Sequence, residues 1–206
     1  MTVPEPVWYA AYGSNLEADR FQCYLEGGCP PGAARTYPGA RDPGEPLDSQ
    51  PYRMGGRVAF AWRSPTWGGG VAFHEPEADG ETLARAYLVT TGQFADVLEQ
   101  EMGREPGVDH DLAAVLAGGR HTVGPGRYET LHLAGELDGH PVLTFSTPEV
   151  EQLGLRAPAP AYVATMARGL RETHDLDDDE LVDYLLACRG SEPGWTRDEL
   201  TELLAS

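Results

Sequence analysis

The fold class predicted for this chain is α+β, a mixed or closed sheet with helices gathered toward the C-terminal end. Three observations carry that expectation. Roughly six segments read as strands, several of them short. Regular strand–helix alternation is rare among them, and successive helical patterns follow residue 160.

The elements follow in order. Residues 7–12 ("VWYAAY") form a continuous apolar run rich in aromatic and β-branched side chains, which predicts a strand buried on both faces. The run stops at Gly13-Ser14-Asn15. Ser14-Asn15-Leu16-Glu17 has the S-x-x-E form of a capping box, so a helix is expected over 16–25. Residues 27–56 are dense in Pro and Gly ("GGCPPGAARTYPGARDPGEP"). That is too long for an ordinary connection, and predicts either disorder or a functional loop without regular structure wrapped over the core. Strands are expected at 57–62, 70–74 and 83–90. A helix over 92–102 is ended by Gly103 and Pro106. A short helical pattern, "DLAAVLAGG", precedes a hairpin whose turn signal is Asp138-Gly139. After the Pro-rich "RAPAPAY" come helices over 162–173, after Asp177, and at Thr196-Arg197-Asp198-Glu199, the last with its own capping box. There are no internal repeats.

At 206 residues the chain predicts one main domain, large enough for a core that needs no crosslinks. We place that domain at 1–175, with a C-terminal helical extension, 176–206, packed on it. The 15 basic and 33 acidic residues give a net charge of −18, which repels nucleic acid and anionic membranes. Cys23, Cys29 and Cys188 have neither CxxC nor CxxH spacing, so neither a disulfide framework nor a zinc ribbon is expected. No secretory signal is read before the first strand and no apolar run approaches the length of a membrane span, so the expected compartment is the cytoplasm.

Two features point to chemistry. Gly13-Ser14-Asn15 places backbone N–H groups where a helix start leaves donors unpaired, next to a glycine that permits close approach. Such a nest suits a carboxylate or a developing oxyanion. A tight, capped strand-to-helix turn with no ligand accounts for the same tripeptide. In "GQFADVLEQEMG", helical spacing puts Phe94, Val97, Leu98 and Glu101 on one inward stripe. Glu99 is predicted on the other side, where substitution would be nearly neutral. An inward carboxylate either has a partner or has its pKa raised by burial, which equips it as a general base. The alternative is that Glu101 flanks the stripe and pairs with an arginine such as Arg104. The six histidines are scattered without an HExxH pair, Ser14 is not in a GxSxG elbow, and "DLDDDELVDY" lacks the Gly and terminal Glu of a calcium loop.

"YAAYGSNL" resembles the signature of the γ-glutamylcyclotransferase-like superfamily. "TWGGGVAFHE" resembles its glycine-rich strand, "LEQEMG" its catalytic helix and "PAPAYVATM" its later Pro-rich segment, in the same order over about 160 residues. An actinobacterial member is implied. The resemblance implies a small, twisted mixed barrel with short flanking helices. It also implies a substrate cradle at Tyr12, Gly13, Ser14 and Asn15, with Gly69, Gly70 and Tyr162 completing the substrate pocket. Glu101 is the implied acid/base, and no metal or cofactor is implied. Its reaction is the conversion of a γ-glutamyl amide to 5-oxoproline and a free amine. The expected partner is therefore a small γ-glutamyl substrate, met by a monomer or homodimer. Two alternatives stay open: a metal-independent amidohydrolase or deacylase on the same site, and a non-enzymatic binding protein of this fold.

The 27–56 segment holds Tyr37, Tyr52, Arg35, Arg41 and Arg53, which suits contact with an acidic substrate. It is expected to be mostly ordered, to line the pocket mouth and to set selectivity. Residues 38–48 are expected to be replaceable without loss of stability.

Overall fold

The computed structural model describes residues 6–29 and 35–205. Strand β1 (Val7–Ala11) is buried along its whole length, as an apolar run flanked by strands on both sides must be. It pairs antiparallel with β5 (Glu81–Val89), from Val7↔Val89 to Ala11↔Arg85, and parallel with β8 (His140–Ser146) through Trp8↔Val142 and Tyr9↔Leu143. The sheet continues through β7 (Thr130–Leu137) to β6 (Arg120–Thr122). On the other side it ends at β2 (Asp48–Gly55), giving the order β2-β5-β1-β8-β7-β6. A separate two-stranded sheet joins β3 (Arg57–Ala61) to β4 (Val71–Glu75). The β7–β8 hairpin turns through Asp138 and Gly139, both at positive φ, as a tight primed turn requires.

This is an α+β fold with an open mixed sheet. The closed barrel is not formed, because the edge strands β2 and β6 do not pair with each other. The expected irregular loop over 27–56 is also corrected, since Asp48–Gly55 within it is strand β2. Proline at position 51 is accommodated because β2 is an edge strand with β5 as its one ladder partner. Residues 30–34 of that loop lie outside the described residues.

The expected capping box at Ser14 is not formed. Ser14–Leu16 is a single 3-10 turn entered from Gly13. Helix α1 (Ala18–Glu26) begins two residues later from Glu17, with no side-chain cap at either start. Glu17 pairs instead with Arg168. Helix α2 (Thr91–Glu101) is capped by a true box in which Thr90 and Gln93 exchange bonds. Two short helices follow, α3 (Ala113–Gly118) and α4 (Val150–Leu153). Helix α5 (Pro160–Thr173), with proline in its first turn, lies across the 3-10 turn. A Cβ at Gly169 would fall on the backbone of Leu16 and Glu17, so that glycine sets how closely α5 braces the turn. Helices α6 (Asp178–Ala187) and α7 (Arg197–Leu204) follow, each opened by a capping box.

Candidate active site

The end of β1, the 3-10 turn, α1 and the end of α2 converge on one cavity of about 100 Å³. On the same measure a single water needs about 10–15 Å³, so there is room for a small ligand. Tyr12, Gly13, Ser14, Asn15, Glu101 and Tyr162 all line it.

Asn15 and Glu101 meet here. Asn15 Nδ2 donates to Glu101 Oε1 at 3.1 Å, and the Tyr24 hydroxyl donates to the same oxygen at 2.7 Å. Both donors fall on Oε1, which leaves Oε2 without a protein donor among the described residues. Tyr24 and Tyr9 hold their protons because burial raises both phenols well above the usual range, with the Glu101 carboxylate adding to the effect.

The turn presents backbone N–H groups ahead of its own ladder. Its first ladder bonds are Leu16 N to Gly13 O and Glu17 N to Ser14 O, so the N–H groups of residues 13–15 precede the ladder. The Tyr162 hydroxyl accepts from Ala72 N at 3.0 Å and also meets the Ser14 backbone. Gly13 is required for that approach, because a Cβ there would lie 2.8 Å from the Tyr162 oxygen.

Gly69 and Gly70 are absent from the cavity wall. Gly70 N donates to Ala157 O at 2.9 Å, and a Cβ on either glycine would fall on the backbone of residues 156–159. Their smallness serves close packing of that segment. Glu99 is also placed differently from expectation. It is 3% exposed, and its carboxylate accepts from Arg104 and meets His110 Nε2. The Arg104 bonds hold its pKa below the ordinary carboxylate value, against the opposing effect of burial. Helix α2 is buried on both sides, so the amphipathic reading of its outer face fails. Arg104 bridges Glu99 and Glu129 and leaves Glu101 to the cavity.

Of the loop residues, Arg35 and Tyr37 reach the cavity. Tyr52 bonds Ala134 O, Arg53 pairs with Glu81, and Arg41 pairs with Asp96, which is fully buried. The 38–48 stretch packs on α2: Gly39 N donates to Gln100 Oε1, and Gln93 Nε2 donates to Gly44 O. It is therefore structural.

Sequence reasoning missed Arg20, Trp62, Trp67, Arg127 and Tyr128, which also line the cavity. Arg127 lies over the Trp62 ring at 4.1 Å and donates from Nη2 to the backbone oxygen of Glu101. Trp62 stands at φ 58°, a conformation that costs a bulky side chain and is kept where the surroundings enforce it. The lining carries three arginines against one carboxylate, in a chain of net charge −18. A cavity of opposite sign to its surface favours an anionic ligand. Among the described residues, no group of three or more His, Cys, Asp or Glu side chains is placed to hold a metal ion. Nor is any helix among them long and apolar enough to cross a membrane.

No family model matches the chain. A solved structure described as gamma-glutamyl cyclotransferase superposes with a TM-score of 0.54 at 17% identity, over 98% of this chain and 99% of that one. An uncharacterized protein from Homo sapiens gives the same figures. The chain therefore has the γ-glutamyl cyclotransferase fold. In sequence it is 33% identical over 198 residues to a protein from Arabidopsis thaliana named histone deacetylase 5, matching 87% of this chain. The match spans about 30% of that protein's length.

Proposed function

We propose that the chain is a γ-glutamylcyclotransferase-like enzyme, cleaving a γ-glutamyl amide to 5-oxoproline and a free amine. The observation that carries this reading is the Asn15–Glu101 contact, which joins the small polar turn to a carboxylate with one open oxygen. The name of the structural neighbour supports it.

In this reaction the substrate's α-amine attacks its own γ-carbonyl carbon, a five-membered lactam forms, and the amide C–N bond breaks. Because ring closure is intramolecular, effective molarities of about 10⁵–10⁸ M are available, and no protein nucleophile or metal is required. Glu101 takes a proton from the amine and returns it to the leaving nitrogen, a role worth roughly 10²–10⁴-fold. The turn N–H groups stabilise the oxyanion, at roughly 10²–10³-fold per donor. The test is a panel of γ-glutamyl amino acids and amines assayed for 5-oxoproline, with and without chelator. No 5-oxoproline from any of them would overturn the reading.

The match to a protein named as a deacetylase favours a second reading, amide hydrolysis by water on the same site. The product separates the two, since hydrolysis of the same panel releases free glutamate.

A further inference from the structure

Arg20 is a buried cation that makes no direct ion pair among the described residues. It sits on α1, one turn before Tyr24, and is 2% exposed. Its guanidinium lies within an aromatic cage, 4.8 Å from the Tyr24 ring centroid, 4.5 Å from Tyr37 and 5.7 Å from Trp67. Nη2 donates to the Tyr37 hydroxyl at 2.6 Å and to Tyr24 at 3.3 Å. Nε and Nη1 have no acceptor among the described residues. Three N–H bonds on a permanent charge are thus unsatisfied, on a side chain that lines the same cavity as Glu101. Interiors seldom leave such donors unpaired, and a group that enters the cavity as an anion, ion or water would meet them.

Tyr24 connects the two groups. Its oxygen accepts from Arg20 and its proton goes to Glu101 Oε1, which places the cation and the carboxylate on the same wall. A γ-glutamyl group carries an α-carboxylate and an α-amine on one carbon. A cation beside a base matches that pair.

Resting on the function proposed above, we infer that Arg20 is the receptor for the substrate's α-carboxylate, selecting γ-amides of α-amino dicarboxylic acids over amides that lack this group. The anion completes the unsatisfied guanidinium and leaves the amine facing Glu101. A purely structural Arg20 would only hold α1 against Tyr37, and would show no preference among ligands.

The test compares γ-glutamyl p-nitroanilide with 4-aminobutyryl p-nitroanilide, which has the same amide and nucleophilic amine but no carboxylate and closes to 2-pyrrolidinone. A site built around a polar group rejects the analogue lacking it strongly, so wild type should prefer the first by roughly 10²-fold or more in kcat/KM. Arg20→Met should bring the two within about threefold by the same reasoning, while Arg127→Met, which removes a different cation from the same cavity, should retain a larger preference than Arg20→Met. Loss of preference in Arg127→Met but not in Arg20→Met would overturn the proposal. If Arg20→Met does not fold, the wild-type Arg20 Nε–H resonance is followed by NMR. It should shift with 5-oxoproline and not with 2-pyrrolidinone, and equal shifts would also overturn it. The binding arm is independent of turnover. Selective binding of 5-oxoproline with no cyclisation of any substrate removes the catalytic reading and keeps the receptor. Cyclisation without carboxylate preference does the reverse.

Discussion

Asn15 Nδ2 donates to Glu101 Oε1 across 86 residues of sequence, tying the first strand-to-helix turn to the last turn of α2. Glutamine at 101 keeps an Oε1 that can accept from both Asn15 and Tyr24, so the local structure is preserved while the base is lost. Glu101→Gln is expected to lower 5-oxoproline release by at least about 10²-fold with an unchanged melting temperature. A variant retaining wild-type turnover removes Glu101 from the chemistry.

Glu99 gives the opposite outcome. Glutamine there keeps one acceptor oxygen but removes the charge and the second oxygen, to which Arg104 Nε donates. Hydrogen bonds to charged groups contribute about 1.5–3 kcal/mol, so Glu99→Gln is expected to destabilise by about that amount while kcat changes little. Chemical denaturation and steady-state kinetics on the same preparation separate the two effects.

Gly13 tests the turn by shape alone. Alanine there places a methyl group 2.8 Å from the Tyr162 hydroxyl, which must shift to admit it. Overpacking of this kind costs about 1–3 kcal/mol. The expected result for Gly13→Ala is lost turnover accompanied by a modest fall in stability, and Tyr162→Phe in the same chain should restore part of the stability, because the nearest remaining ring atom lies 4.0 Å from the new methyl. Full activity in Gly13→Ala would show that the close approach is unimportant.

Much of the fold was legible where local pattern and tertiary environment agree. The run at 7–12 is apolar because both faces of β1 are covered, and Asp138-Gly139 announces its turn through residues that tolerate positive φ. Glu101 was legible because it shares helical spacing with Phe94, Val97 and Leu98. The face of Glu99 was not, because a two-sided burial of α2 depends on Arg104, Glu129 and His110 arriving from later in the chain. Strand β2 was hidden by Pro51 and by an exposed, polar composition that only edge pairing explains. Arg20 was hidden for a related reason. A charged residue at a helical position reads as solvated, and the Tyr37 and Trp67 rings that bury it lie 17 and 47 positions further along the chain. Gly69 and Gly70 signalled close approach correctly, but the approaching group is backbone.

The 38–48 segment is expected to matter for stability and not for selectivity. Replacing it with a Gly/Ser linker of equal length removes the Arg41 bonds to Asp96, whose side chain is 1% exposed. The loss is at least about 1.5 kcal/mol on the scale of charged hydrogen bonds. At about 2–4 °C per kcal/mol for a chain of this size, the melting temperature should fall by several degrees. Relative kcat/KM across the γ-glutamyl panel should stay level. A shifted substrate preference at unchanged stability would return this stretch to the role of a selectivity loop.

Acid should weaken the fold through His132. It is 6% exposed with Nε2 unpartnered, and burial, followed by the neighbouring charges of His74 and Arg120, lowers its pKa to about 4. His74 and His174 are lowered in the same direction, chiefly by burial. The unfolded chain titrates its histidines near the ordinary value of about 6.5. Between about 6.5 and 4 the unfolded state therefore binds more protons than the native one, and stability falls as pH falls through that window. The contribution is complete above pH about 6.5 and lost as pH drops through the native value. Glu99 is held below the ordinary carboxylate range and titrates beneath the upper part of this window. Melting temperatures measured from pH 7.5 to 5 should decline, and His132→Leu should flatten the slope. A variant as acid-sensitive as wild type would assign the effect to His74 and His174 instead.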